Sequence, residues 1–247
     1  MPQPHRDAAT TSRCRQVGEY GEVTDVHTET GRRVIFACAA RWPGWCRKGR
    51  SEEAALAELA AYASRYAVVA DRAGVPFDTS TAVSQFAVVE RVPGTATTDF
   101  GALDVSPDLD KKPFTPHERA SLTTLVNATW EMFEETAAAA PSILRKGPRG
   151  GGRDRDAIVA HVRETEVLHA RMLGLKERPF QPADVAAAAA LRARILAAIA
   201  SAAATDQTAS HRTDTASKSR RPPLFVARRT AWHALDHAWE IQDKQEL

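Results

Sequence analysis

Cysteine is scarce in this sequence of 247 residues: there are three, Cys14, Cys38 and Cys46. An odd number without C-x-x-C spacing makes neither a disulfide framework nor a zinc knuckle. Reduced thiols in a cytoplasmic protein are therefore expected. Long apolar runs are also missing. The most apolar stretch, Ile195–Ala204, covers about ten residues, against the ~20 that span a bilayer. The first sixteen residues are polar and lack the apolar segment of a signal peptide. Neither sign of charge dominates: 33 Lys and Arg face 31 Asp and Glu, a net charge of +2. That balance argues against a nucleic-acid partner or a membrane surface and favours a small-molecule substrate. The phosphate-loop, dinucleotide, GxSxG and HExxH templates are all absent.

Alanine, by contrast, makes up close to a fifth of the chain. It is the best helix former and adds little bulk, so it points to closely packed helices. Residues 1–18 read as a disordered lead-in. Val23 and Val26, then Val34, Ile35 and Phe36, flank a Glu29–Arg32 turn and predict a hairpin. Trp42-Pro43-Gly44-Trp45 is a turn. Ser51 caps a helix with Glu52 and Glu53 in its first turn, and this helix runs to about Ala73. Ser84–Val92 is a third strand. Residues 19–93 thus form a small α+β domain with the order β-β-α-β. Residues 94–114 read as a linker, with Phe100 and Phe114 available to tack it down.

Four helices follow over 115–247. Thr115-Pro116-His117-Glu118 completes a capping box, and Leu122, Leu125, Val126, Thr129 and Phe133 share one face. A second helix starts at Asp154 or Asp156 and ends at Gly174. A third runs from Pro182 to about Ala204. The polar Asp206–Arg221 stretch is a mobile loop, and a fourth helix covers Leu224 to about Asp243. The expected fold is an α+β unit followed by an all-α, antiparallel four-helix bundle.

Four of the eight histidines fall on the second and fourth helices. His233 and His237 are one turn apart, so both rings can reach one metal, and Glu240 lies on the same side. His161 and His169 lie within a stripe of Ile158, Thr165, Leu168 and Met172. One histidine from that helix and two from the fourth leave an open coordination position, the layout of a reactive site. Asp236 and Glu164 are candidate carboxylates for fixing the imidazole tautomers. The opposing reading is a hydrogen-bonded core histidine at 161 and a solvated pair on the rim, because the bulky side of the fourth helix is Phe225, Trp232, Leu235 and Trp239.

Two passages weigh against that reading. Ile158–Glu166 (IVAHVRETE) and Arg228–His237 (RRTAWHALDH) resemble the second-helix and last-helix segments of the DinB/YfiT superfamily of four-helix metalloenzymes. The resemblance covers residues 115–241. It implies a divalent metal, zinc or nickel, held by His161, His233 and His237, and has no counterpart for His169. It also implies a low-molecular-weight-thiol S-transferase or isomerase, since a metal lowers a thiol pKa, and a homodimer. The Ala- and Arg-rich composition fits an actinobacterium and thus mycothiol as co-substrate. Arg228 and Arg229 could hold an anionic substrate.

Phe36-Ala37-Cys38, Trp42–Cys46, Gly49 and Glu52-Glu53-Ala54 resemble the strand, turn and helix of HicB-like antitoxin domains over residues 34–70. The alternative this raises is a non-catalytic binding or regulatory protein with the bundle as scaffold. Cys46 beside Arg47 and Lys48 has the setting of a lowered thiol pKa, but no histidine or acid partner is evident.

Overall fold

The computed structural model describes residues 23–112, 115–147, 151–202 and 220–245. The lead-in over 1–18, Phe114 and most of the 206–221 stretch lie outside them. The chain is a mixed α+β structure, mostly helical, with one four-stranded sheet.

The hairpin forms as expected: β1 (Thr24–Thr30) pairs antiparallel with β2 (Ile35–Ala39), with Thr30 opposite Ile35. A strand not anticipated, β3 (Cys46–Gly49), extends the sheet on the far side of β2. Next come α1 (Glu52–Ala61) and α2 (Ala63–Arg72), which divide at Tyr62 where one helix was expected. Ser51 caps α1 by accepting from the Ala54 amide at 3.2 Å. β4 (Phe86–Pro93) then pairs parallel with β1, giving the order β3-β2-β1-β4.

Side chains on β2 alternate between two cores, as the pleat requires. Ala37 and Ala39 join Trp45, Leu59 and Tyr66, while Phe36 and Cys38 join Cys46, Leu103 and Trp232. Trp45 donates its indole N–H to the Leu59 carbonyl at 2.8 Å, and the Tyr66 hydroxyl donates to the Pro43 carbonyl at 2.9 Å. Both polar tips are thereby satisfied inside the core.

Residues 94–112 are laced onto the sheet. Thr95 caps α3 (Ala96–Asp99). The buried Glu29 carboxylate accepts from Thr98 Oγ1 at 2.5 Å and from the Asp104 and Val105 amides. Glu90 accepts from the Asp108 and Leu109 amides, on a 3₁₀ turn at Asp108–Lys111. Phe100 does not tack the segment down, because it is 91% exposed. The buried Glu29 and half-buried Glu90 carboxylates hold the backbone instead.

The four long helices are α4 (Pro116–Ala139), α5 (Arg155–Met172), α6 (Val185–Ala202) and α7 (Pro223–Gln245). The Thr115–Glu118 capping box is present, and Leu122, Leu125, Val126, Thr129 and Phe133 are all buried. α4 packs on α6 and α7, and α5 packs on the same two helices. Their shared core contains Trp130, Phe133, Ile158, Val162, Leu191, Ile195, Ile199 and Ala231. A second core crosses from the sheet into this layer, joining Val26, Trp45 and Tyr66 to Leu125, Met132, Leu235 and Trp239. Gly44 sets how close the two parts come. Its φ is +93°, and a Cβ there would lie 2.7 Å from Leu235 Cδ1, so only glycine satisfies both the turn and the contact. Among the described residues no helix is long and apolar enough to cross a membrane.

The structure joins Cys38 and Cys46 in a disulfide, correcting the expectation of reduced thiols. Register is the cause: the two residues face each other across β2 and β3. With β3 unrecognised in the sequence, nothing indicated that they were neighbours.

Candidate metal centre

His161 lies in the first half of α5, while His233 and His237 share one face of α7 at the four-residue spacing that stacks side chains. Packing of α5 on α7 brings the three rings together. Ring centroids are 5.0 Å apart for His161 and His233, 5.0 Å for His161 and His237, and 4.7 Å for His233 and His237. His233 Nε2 is 3.2 Å from His161 Nε2. One ligand atom from each ring falls within 4.8 Å of the others, so the three histidines are close enough to bind one metal ion. Two nitrogens each ~2.0–2.1 Å from a tetrahedral ion are about 3.3 Å apart, which the observed separation of His161 and His233 matches.

The electrostatics favour neutral rings at His161 and His233. Burial holds His233 well below the ordinary imidazole range, and neighbouring His237 and His169 push it further down. His161 is also lowered, first by burial and then by His237 and Arg153. Glu240 Oε2 sits 2.7 Å from His237 Nδ1. With that nitrogen donating to the carboxylate, Nε2 keeps its lone pair. The other Glu240 oxygen pairs with Lys244. These two partners bring Glu240 down to about 2, the hydrogen bond to His237 contributing most.

The tautomer-fixing carboxylate is therefore Glu240, and neither Asp236 nor Glu164. Asp236 follows Leu235 round the helix toward the sheet and accepts from Arg47 at 3.0 Å. Glu164 is exposed and acts on His161 only as a nearby charge. The spacing held the signal: Glu240 is three residues beyond His237, on its face, whereas Asp236 is one residue before it, about 100° away. The α5 stripe also differs from expectation. Leu168 is 51% exposed, and Val162, Glu166 and Ala170 take the buried positions with Ile158.

His169 is fully enclosed and meets the site from behind. Its Nδ1 is 2.5 Å from Thr230 Oγ1, and its ring stands edge-on to His233 at 5.9 Å. Burial lowers it to about 3, so it is neutral. It does not join the three-histidine group. Arg228 and Arg229 are paired with internal groups. Arg228 meets His27 Nδ1 at 3.2 Å and Asp110 Oδ1 at 3.3 Å, and Arg229 meets Asp104 at 3.4 Å.

In comparisons with known proteins, no family model, no curated protein and no solved structure matches this chain.

Proposed function

We propose that this chain is a divalent-metal-dependent enzyme whose ligands are His161, His233 and His237. The observation that carries this reading is the convergence of three imidazoles from two helices, one of them oriented by Glu240. A carboxylate behind a ligating histidine is the usual companion of such sites. Neutral imidazoles suit zinc and nickel alike. The packing of α4 to α7 on one another supports a DinB-like four-helix bundle, and the resemblance in IVAHVRETE and RRTAWHALDH falls on the helices that supply the ligands.

The reaction proposed is S-transfer or isomerisation with a low-molecular-weight thiol of the mycothiol type. A cation held there supplies the Lewis acidity that ionises a thiol near neutral pH. The protein's own part is to hold His161 and His233 deprotonated by burial, to fix His237 through Glu240, and to leave His161 partly open to solvent, on the side where a substrate arrives. Three protein ligands leave a coordination position free, which a closed structural site does not.

Untagged protein reconstituted with zinc, nickel or manganese and then desalted should retain about one equivalent of metal, and the His161→Ala/His233→Ala/His237→Ala variant less than about a tenth. Equal retention by the two proteins would remove the metal reading. A thiol-transfer screen on the loaded protein, with the triple variant as blank, then tests the reaction.

A further inference from the structure

Across the three-histidine group α5 and α7 run antiparallel. His161 meets His237 with ring centroids 5.0 Å apart; eight residues further along α5, His169 meets Thr230, seven residues back along α7. At 1.5 Å per residue these separations are about 12 Å and about 10.5 Å, so the two contacts are rungs of one ladder. His233 sits between them, its ring 5.0 Å from His161 and 5.9 Å from His169. Thr230, three residues before His233, lies on the same side of α7.

The Thr230 rung is unlike its surroundings. His169 and Thr230 are 1% and 2% exposed. Among the described residues their 2.5 Å bond is the only side-chain hydrogen bond between α5 and α7, apart from the approach of His161 to His233 itself. The apolar residues that α7 gives the bundle core between Leu224 and Ile241 are all alanine: Ala227, Ala231, Ala234 and Ala238. Methyl groups hold an axial register weakly, because sliding exchanges one methyl contact for another. A buried hydrogen bond has no such substitute: if it slips, both partners lose their bond without regaining water. Setting register is the best-attested use of a polar pair inside an apolar contact. The other rung needs that register held closely. Two imidazole nitrogens on one ion stay about 3.3 Å apart, and a slip of one residue along a helix is about 1.5 Å.

We infer that Thr230 and His169 are positioning residues: their hydrogen bond sets the register of α5 on α7 and so holds His161 against His233 and His237. Neither belongs to the three-histidine group. They act on it only through where the two helices meet. What the group holds rests on the metal reading proposed above; the register does not.

The test compares the full-length wild type with three variants. Thr230→Val/His169→Leu replaces both partners by apolar groups, Thr230→Val removes only the hydroxyl, and Thr230→Ser keeps it. Removing both partners together is close to neutral for stability, so the urea midpoint of the double variant should hardly move. In the metal-free proteins, labelled at histidine, ring-proton NOEs between His161 and His233 should appear in the wild type and in Thr230→Ser. They should be absent from the double variant and from Thr230→Val. Zinc affinity, read by competition with a chelating dye, should fall at least about tenfold in the double variant and in Thr230→Val, and stay within about threefold in Thr230→Ser. Thr230→Val is read alone if the double variant does not fold. NOEs that persist without the hydroxyl, or a zinc affinity that does not change, overturn the inference and leave the bond a stabilising contact only. A wild type that shows the NOEs but binds no zinc overturns the metal reading instead, and the NOEs of the variants then decide the register.

Discussion

Glu240 shows how one side chain can orient a candidate metal ligand without belonging to the three-histidine group. It gives His237 a fixed tautomer and itself receives Lys244. Glu240→Gln should keep the fold and weaken zinc binding by about 10- to 100-fold, read by competition with a chelating dye, whereas exposed Glu164→Gln should leave affinity within about twofold. The buried imidazoles have a separate consequence for acid stability. His27 and His169 are each held at about 3 by burial. As pH falls through 6.5 the unfolded chain takes up these two protons and the folded chain does not, so stability is lost between pH 6.5 and 3, by about 1.4 kcal/mol per pH unit for each ring. Asp110 works the other way: burial lifts it from 3.8 to about 6, so the folded state gains from its protonation between about pH 6 and 3.8. Two rings outweigh one carboxyl. The metal-free protein should lose about 2 kcal/mol or more between pH 7 and pH 5, seen as a lower urea midpoint. That His161, His233 and His237 come together was legible in the sequence, for His233 and His237 from their spacing and for His161 from its resemblance. The Thr230–His169 bond was not, since it depends on how α5 and α7 meet.

At the scale of elements, helix boundaries were the most legible feature because their signals are local. Thr115 and Glu118 cap α4 as the sequence suggested, and Gly174, at a φ of +86°, follows the end of α5. β3 escaped notice for the opposite reason. Cys46-Arg47-Lys48-Gly49 has no β-branched residue and is a strand only because β2 lies beside it. The polar cross-link among α4, α5 and α6 is likewise non-local. Arg192 bonds Glu166 and Glu134 at 2.8 Å each, and Arg163 bonds the other Glu134 oxygen at 2.8 Å. Glu166 is 2% exposed, so removing its partner strands a charge. Arg192→Ala should cost about 3–5 kcal/mol in chemical denaturation, well beyond a surface ion pair. Replacing the whole network with apolar residues of similar volume should cost far less.

At the scale of the whole molecule, the division near residues 94–114 marks a real change of composition, but the cores do not stop there. Leu125, Met132, Leu235 and Trp239 share one cluster with Trp45 and Tyr66, and Asp110 from the connecting segment pairs with buried Arg228 of α7. A fragment of residues 115–247 therefore uncovers a broad apolar face. It should be insoluble or unfold without a cooperative transition, while the full chain gives a single one, as differential scanning calorimetry can show.

The position of α7 also sets a clock. The sheet is built from residues 24–93, yet Leu235 and Trp239, which complete its core, are translated about 145 residues later, roughly 7–30 s at 5–20 residues per second. During that interval Val26, Ala37 and Trp45 have α1 and α2 over them but no α7, and the Gly44 turn has nothing to press against. The nascent N-terminal part thus leaves the ribosome with one wall of its core missing. Vectorial synthesis makes the last helix the step that commits the chain, and any pause between α4 and α7 lengthens the time an unfinished sheet is open to other nascent chains.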